Sequence, residues 1–273
     1  MKNNRLLLSW VIALGLVAFG VLANWYLVFV WAAQPLTTTQ VLNPYQSLYD
    51  DLLYPSVRIT TADSIGSGVI LSNEQVTMSN EQITQTAQYI YILTAAHVVG
   101  NEALVNVELF NSTESLPAFV VLTDTGKDLA LLRCASVVTS HASSFVAKLA
   151  PRSYTPYVFT PIWVVGCSLG YSPRPTEGCI TVASNHGDTE NTEKNLRALS
   201  DSVVNYWEMN APIWPGNSGG GVFLKDTHEL IGIAVWVKIC HGQLASTMGG
   251  IVPLQTIYEF LKEVKSYAEK ESD

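Results

Sequence analysis

Charge is scarce in this chain. Asp, Glu, Lys and Arg make up 14% of its 273 residues, and the 15 Lys and Arg are outnumbered by 23 Asp and Glu, for a formal net charge of −8. The deficit of basic residues excludes nucleic acid as the main partner, since a phosphate backbone is gripped by clustered Lys and Arg. Apolar residues reach 48%, so the composition also excludes a disordered polymer and supplies a sizeable core. Cysteine is sparse, with four residues and no CxxC spacing, which argues against a zinc site. His141, His186, His228 and His241 lack ligand-like spacing among themselves and read as surface or loop residues, so no metal is expected. Charge is missing altogether from residues 6–33, where only Ser9 and Asn24 are plainly polar.

That stretch is long enough to matter. At about 1.5 Å per residue, a helix over 6–33 reaches roughly 42 Å, more than the ~30 Å hydrocarbon core of a bilayer. Trp25, Tyr26 and Trp31 carry the apolar run well past the ~7–15 residues of a signal-peptide core, which favours an uncleaved transmembrane anchor over a cleaved signal. Lys2 and Arg5 precede the run and no Lys or Arg follows until Arg58. The positive-inside bias makes 1–5 a cytoplasmic tail and places the rest outside the cytoplasm, periplasmic or at the cell surface. Residues 34–44 contain Thr, Gln and Pro without apolar periodicity, a linker composition that hands over to a folded domain at 45–273.

Within that domain, short β-rich runs dominate: 57–60, 68–71, 89–94, 105–110, 119–122, 129–134, 163–166, 179–183, 206–209, 221–224 and 230–237. Turn residues separate them, and no helices of ten to fifteen residues alternate with them. One or two antiparallel barrels are therefore expected in place of a parallel α/β sheet. Only 254–270 reads as a helix, with Leu254, Ile257, Tyr258, Leu261 and Val264 at spacings of three and four. The polar, patternless stretches 72–88 and 184–202 read as surface loops.

Three segments carry chemistry. Pro215-Gly216-Asn217-Ser218-Gly219-Gly220-Gly221 runs into the apolar Val222-Phe223-Leu224. Glycines let a backbone curl until the N–H groups of Gly216 and Ser218 converge, which is what a serine nucleophile needs to stabilise the oxyanion it creates; a Gly-rich β-turn would look the same. Tyr91-Ile92-Leu93-Thr94-Ala95-Ala96-His97 brings an apolar strand through small residues to an imidazole, a base or a core histidine. Lys127-Asp128-Leu129-Ala130-Leu131-Leu132 sets a carboxylate at the mouth of an apolar strand, an orienting acid or an ordinary turn Asp.

In the order His97, Asp128, Ser218, and with their flanks, these segments resemble the chymotrypsin-like serine proteases, most closely the HtrA-type (high-temperature-requirement) branch. Gly66-Ser67-Gly68-Val69-Ile70 and Gly249-Gly250-Ile251-Val252-Pro253 add two more motifs in the family's order. The resemblance spans about 56–253 and implies an all-β, chymotrypsin-like double antiparallel barrel with a C-terminal helix. It also implies a boundary between barrels near 150–160 and a catalytic cleft between them, with His97 and Asp128 from the first barrel and Ser218 from the second. Asp128 would orient His97 through Nδ1–H, His97 Nε2 would take the Ser218 proton, and the Gly216 and Ser218 amides would hold the oxyanion. Asp124, which lacks an apolar strand directly after it, is the runner-up acid. The resemblance further implies a specificity pocket walled by Ala211, Pro212, Ile213 and Trp214, by Val235, Trp236 and Val237, and by Gly249, Gly250, Ile251 and Val252, with Pro212 at the floor. No acidic side chain lies among these, so small to medium apolar side chains are expected there and Arg or Lys is not. Asn217 stands where trypsin-type zymogens carry an Asp that pairs with a new N-terminus, so activity without N-terminal processing is expected.

The chain departs from the HtrA pattern in carrying Gly221 where a proline usually follows the Ser-Gly-Gly, and in ending about twenty residues after Pro253, leaving no room for the usual PDZ domain. Cys167 and Cys179 bracket what looks like a loop over 168–178 and could close it as a disulfide in an oxidising compartment. Asn111-Ser112-Thr113 fits a glycosylation acceptor in a eukaryotic host. The combined expectation is a membrane-anchored serine endopeptidase that cleaves protein or peptide substrates through an acyl-enzyme and needs no cofactor. A tethered pseudoprotease that binds extended peptides without turnover is the alternative.

Overall fold

The computed structural model describes residues 45–79, 84–136, 145–183, 206–240 and 243–271. The expected anchor 6–33 and linker 34–44, the stretch 184–202, and His141, His186 and His241 lie outside them. Among the described residues no helix is long and apolar enough to cross a membrane.

The first six strands are β1 (Ser56–Thr60), β2 (Ile65–Ser79), β3 (Thr84–Thr94), β4 (Leu104–Leu109), β5 (Ser115–Asp124) and β6 (Leu129–Ser136). They close into an antiparallel barrel in the order β1-β2-β3-β6-β5-β4, sealed where β1 pairs β4 with Val57 opposite Leu109. The period-two pattern explains the closure. In β4, Val105, Val107 and Leu109 are buried while Leu104 and Asn106 face out, and Val57 and Ile59 of β1 point into the same interior. Each such side chain contributes about 1.5–3 kcal/mol relative to exposure.

A second antiparallel barrel follows: β7 (Pro161–Gly166), β8 (Arg174–Val182), β9 (Trp207–Met209), β10 (Gly221–Leu224), β11 (Leu230–Cys240) and β12 (Gln243–Pro253), ordered β10-β11-β12-β9-β8-β7. β10 is buried along its whole length, because β7 and β11 flank it and the apolar interface between barrels covers it. The C-terminal helix Leu254–Glu271 leaves β12 without a break. Its Leu254 packs in the core of the second barrel, whereas Ile257 and Phe260 enter the core that contains the first-barrel residues.

Three expectations need correction. Most of 72–88 is not loop but the outer part of the β2–β3 hairpin, paired from Asn73 opposite Ile90 to Ser79 opposite Thr84. Beyond Gln88 opposite Ser136, the end of the β3–β6 pairing, the two strands pair only with each other among the described residues, and their polar sequence carries no apolar alternation by which a strand is recognised. A twelfth strand, β12, was hidden by Gly249, Gly250 and its polar outer half, although it carries the family-like Gly-Gly-Ile-Val-Pro motif. Cys167 and Cys179 are free thiols, as is Cys134. β7 and β8 run antiparallel with Pro161 opposite Cys179 and Gly166 opposite Arg174, so Cys167 lies past the far end of the ladder, roughly 20 Å away at about 3.3 Å per residue. Bridged α-carbons sit less than about 7 Å apart. The loop expected over 168–178 is correspondingly short, since β8 already begins at Arg174.

Candidate active site

The strand β3 delivers His97. It ends at Thr94, and the helical turn Ala96–Val99 follows directly, with Ala96, Val98 and Val99 buried. His97, on the opposite side of this turn, keeps 47% of its side chain exposed. Asp128 closes the β5–β6 hairpin in the left-handed region, at φ 53°, a conformation Asp tolerates better than most residues. Its carboxylate clasps the histidine twice: Oδ1 accepts from the His97 backbone N–H at 3.0 Å, and Oδ2 lies 2.8 Å from His97 Nδ1. A carboxylate can only accept, so Nδ1 carries the proton and Nε2 keeps its lone pair for a base's task. Burial, reinforced by the negative charge of Asp128, pushes the Tyr206 phenol above its ordinary range. Asp124 is occupied elsewhere: its Oδ2 accepts from Lys127 Nζ at 2.6 Å, and the same ammonium reaches Glu263 of the C-terminal helix at 3.0 Å. The structure thus pairs His97 with Asp128 and not with the runner-up.

The second barrel supplies Ser218 on a turn built almost wholly from backbone bonds. Asn217 N–H donates to the Trp214 carbonyl at 3.0 Å, closing a turn with Pro215 and Gly216 in the middle. Gly216 has φ 97°, the value a type II turn demands at that position and one that suits glycine. Two carbonyls then decide where two amides point. Leu169 N–H holds the Pro215 carbonyl at 2.8 Å, and Gly220 N–H holds the Asn217 carbonyl at 2.9 Å. In a trans peptide the N–H opposes the C=O, so the Gly216 and Ser218 amides face away from both clamps. Among the described residues neither amide donates to a protein acceptor. Gly219, at φ 84°, lies so close to the other barrel that a methyl there would overlap the Ser67 carbonyl and Thr94 Oγ1. This contact sets the Ser218 turn against the end of β3, two residues before the helical turn that bears His97. Asn217 is buried and uncharged, its Oδ1 accepting from Ser168 Oγ at 2.7 Å.

The Ser218 hydroxyl donates to the Val235 carbonyl at 3.3 Å and, among the described residues, not to His97. A bond of that length is near the limit of a hydrogen bond, and in ligand-free sites such bonds commonly shorten or exchange when substrate arrives.

Next to Ser218 lies a cavity of about 40 Å³ lined by Ile213, Trp214, Pro215, Asn217, Ser218, Ala234, Val235, Trp236 and Val237. Five of the expected wall residues are there, but Ala211, Pro212, Gly249, Gly250, Ile251 and Val252 are not. Pro212 is exposed while its neighbours Ala211 and Ile213 are buried: the segment is extended, the Ile213 amide is tied to the Ser246 carbonyl at 2.7 Å, and alternation turns Pro212 outward. Gly250 lies under the Trp236 indole, which occupies the place a Cβ would take. Among the described residues no group of His, Cys, Asp or Glu could hold a metal ion, and His228 pairs with Asp51 at 2.8 Å. Burial pushes the thiols of Cys134 and Cys167 up to about 11, which makes both poor nucleophiles. Ser67 and Leu169 shape this site without having been singled out for a role in the sequence. Ser67 at least stood inside the quoted Gly66-Ser67-Gly68; Leu169 acts through its backbone amide, which no side-chain pattern reveals.

Several known proteins are similar to this chain. The chain matches the "Serine protease HtrA-like" protein of Staphylococcus aureus strain MRSA252 with 28% identity over 207 residues, 75% of this chain and 24% of that protein; it therefore spans about a quarter of the length of such relatives. In three dimensions it resembles the HtrA-type protease AlgW solved with a tripeptide, at TM-score 0.62 and 21% identity over 82% of this chain and 64% of that one. It also resembles an inactive form of Rv3671c from M. tuberculosis H37Rv, at TM-score 0.57 and 16% identity over 83% of this chain and 92% of the other. A family model described as a trypsin-like peptidase domain matches residues 66–233, more than half of the sequence and four of the five motif segments, all but Gly249–Pro253, and the chain belongs to that family of serine-type peptidases.

Proposed function

We propose that this protein is a serine endopeptidase that hydrolyses peptide bonds through an acyl-enzyme on Ser218. The observation that carries the reading is the pair of amides, Gly216 and Ser218, left without protein acceptors beside a serine hydroxyl, while an aspartate holds the neighbouring histidine in the base-competent tautomer. His97 Nε2 removes the Ser218 proton as Oγ attacks the carbonyl carbon, the two amides receive the oxyanion, and the imidazolium returns the proton to the departing amine. Water then repeats the sequence to release the acid. The chemistry uses only the chain's own groups. The small cavity beside Ser218, with no acidic lining residue, favours a short aliphatic side chain on the acyl side of the cut bond.

We place this domain outside the cytoplasm on a membrane anchor formed by residues 6–33, supported by the length of the uncharged run and the Lys2 and Arg5 that precede it. Resistance to alkaline carbonate extraction, together with digestion by a protease added to intact cells, is the expected pair of results; release by carbonate would mean a cleaved signal instead. The bond from Ser218 to Val235 is what favours the second reading, a peptide-binding relative without turnover. A fluorophosphonate probe separates the two: the full-length chain should be labelled at Ser218 and the Ser218→Ala variant should not, whereas an unlabelled but folded wild type would establish the binding role.

A further inference from the structure

Ser67 lies near the start of β2 and is wholly buried. All of its polar atoms are engaged by the second barrel or by the strand that leads to His97. Its N–H donates to the Ser218 carbonyl at 2.8 Å, and its carbonyl accepts from Thr94 Oγ1 at 2.6 Å. The hydroxyl accepts from the Cys167 N–H at 2.7 Å and lies 2.6 Å from the Gly216 carbonyl. The amide of Cys167 can only donate, so the single hydroxyl proton goes to Gly216. The two backbone bonds are open to any residue except proline. The two hydroxyl bonds require a short side chain that accepts and donates at once.

We propose that the Ser67 hydroxyl is a positioning group for the oxyanion hole, tying the glycine that offers one amide to the turn whose Leu169 N–H aims that amide. The inference rests on the reading of Gly216 and Ser218 as oxyanion donors. The Cys167–Gly170 turn is itself closed by Gly170 N–H on the Cys167 carbonyl at 2.8 Å, and Arg58 Nη1 holds the Gly170 carbonyl at 2.7 Å. The turn is therefore a fixed body, and the Ser67 hydroxyl is its direct link to Gly216. Without that link, a buried carbonyl and a buried amide lose their partners together. Gly216 gives the turn an escape, because glycine reaches φ values on either side of zero with little cost, and any such excursion moves its N–H off the point it shares with the Ser218 amide. Loss of an oxyanion donor typically lowers kcat by about a hundredfold to a thousandfold, and a 1 Å misplacement by about a hundredfold.

The test uses the full-length chain in detergent, with steady-state hydrolysis of a peptide substrate, affinity for a peptidyl boronate and thermal unfolding as readouts. In Ser67→Ala, kcat should fall about tenfold to a hundredfold with KM within about threefold of wild type, and boronate affinity should fall by the same factor as kcat/KM, because the boronate adduct uses the hole as the transition state does. A variant that is folded at the assay temperature with wild-type kcat, or with KM raised at unchanged kcat, overturns the proposal. Should Ser67→Ala not fold, Ser67→Cys fills the slot with a poor donor and should show the same drop in kcat; wild-type turnover in that variant overturns the proposal equally. A wild type that neither hydrolyses substrate nor takes a fluorophosphonate at Ser218 overturns the peptidase reading beneath it, an outcome distinct from a fully labelled wild type with an unaffected Ser67→Ala.

Discussion

The two barrels contribute to the cleft in different chemical currencies. The first offers side chains: an imidazole with nearly half its surface in solvent, clasped by one carboxylate. The second offers backbone: a turn in which Pro215 and Asn217 carbonyls are held so that two amides have no acceptor among the described residues. Side-chain groups can be orphaned by replacing one partner, whereas the backbone groups depend on conformation, on glycine, and on neighbours such as Ser67. The contrast predicts that substitutions on the first side act through protonation and orientation, and those on the second through geometry.

Ser218→Ala should remove the most, about a millionfold in kcat, by analogy with losses seen when a serine nucleophile is deleted; peptide hydrolysis at wild-type rate would assign the nucleophile elsewhere. Asp128→Asn comes next. An amide cannot hold the Nδ1-protonated tautomer as the carboxylate does, and kcat should drop about ten-thousandfold, while Asp124→Asn, tied to Lys127 and not to His97, should change kcat less than about threefold. Equal losses from the two variants in steady-state assays would break the distinction between them. A smaller effect concerns selection. Profiling of cut sites in a denatured protein library should give dominant cleavage after Val, Ala, Leu or Ile. Pro212→Asp, on an exposed side chain, should leave that profile unchanged, and Val237→Gly should admit larger residues by about 1–3 kcal/mol of discrimination. New cleavage after Arg or Lys in Pro212→Asp would return that residue to the pocket floor.

The smallest effect is on stability. Burial by itself would raise the Asp124 carboxyl, but the hydrogen bonds from the Lys127 side chain and amide, with the ammonium's charge, outweigh it and hold Asp124 below the ordinary carboxylate range. The folded-state value is depressed, so the contribution is complete above the unfolded carboxylate's range and disappears as pH falls through the folded one. Lys127, raised chiefly by its bond to Asp124, keeps its share until strongly alkaline pH. Between pH 7 and pH 3 the wild type should lose more thermal stability than Asp124→Asn, by less than about 1 kcal/mol; an equal loss would show that the pair contributes nothing.

The same division governs what could be read from the amino acids. The His97, Asp128 and Ser218 segments were legible because each couples a reactive side chain to an apolar strand, and the eleven β-rich runs were visible wherever a barrel interior enforced alternation. β12 and the outer β2–β3 hairpin were not, because a glycine pair in the one and a run of polar residues in the other leave no apolar period. Pro212 lies on the exposed side of its segment, which was hidden for a related reason: counting six residues back from Ser218 fixes its distance along the chain but not which face of the segment it takes. The Ser67 hydroxyl and the Leu169 amide become recognisable only when the chain has folded to bring Cys167 to Ser67, 100 positions earlier in sequence.

The C-terminal helix has a further meaning for how the molecule comes apart. It starts with Leu254 in one hydrophobic core and plants Ile257 and Phe260 in the other, where they join Val57 and Leu132 of the first barrel and Phe223 and Ile233 of the second in one apolar cluster. Neither barrel can open on its own without stripping water-excluded surface from its neighbour, and the hydrogen bonds of Tyr258 Oη to the Ala150 carbonyl and of Gln255 Nε2 to the Tyr154 carbonyl strap the inter-barrel segment to the same helix. Heating should therefore yield a single cooperative calorimetric transition, with both halves of the cleft lost at one temperature, although the strap begins more than thirty residues beyond Ser218.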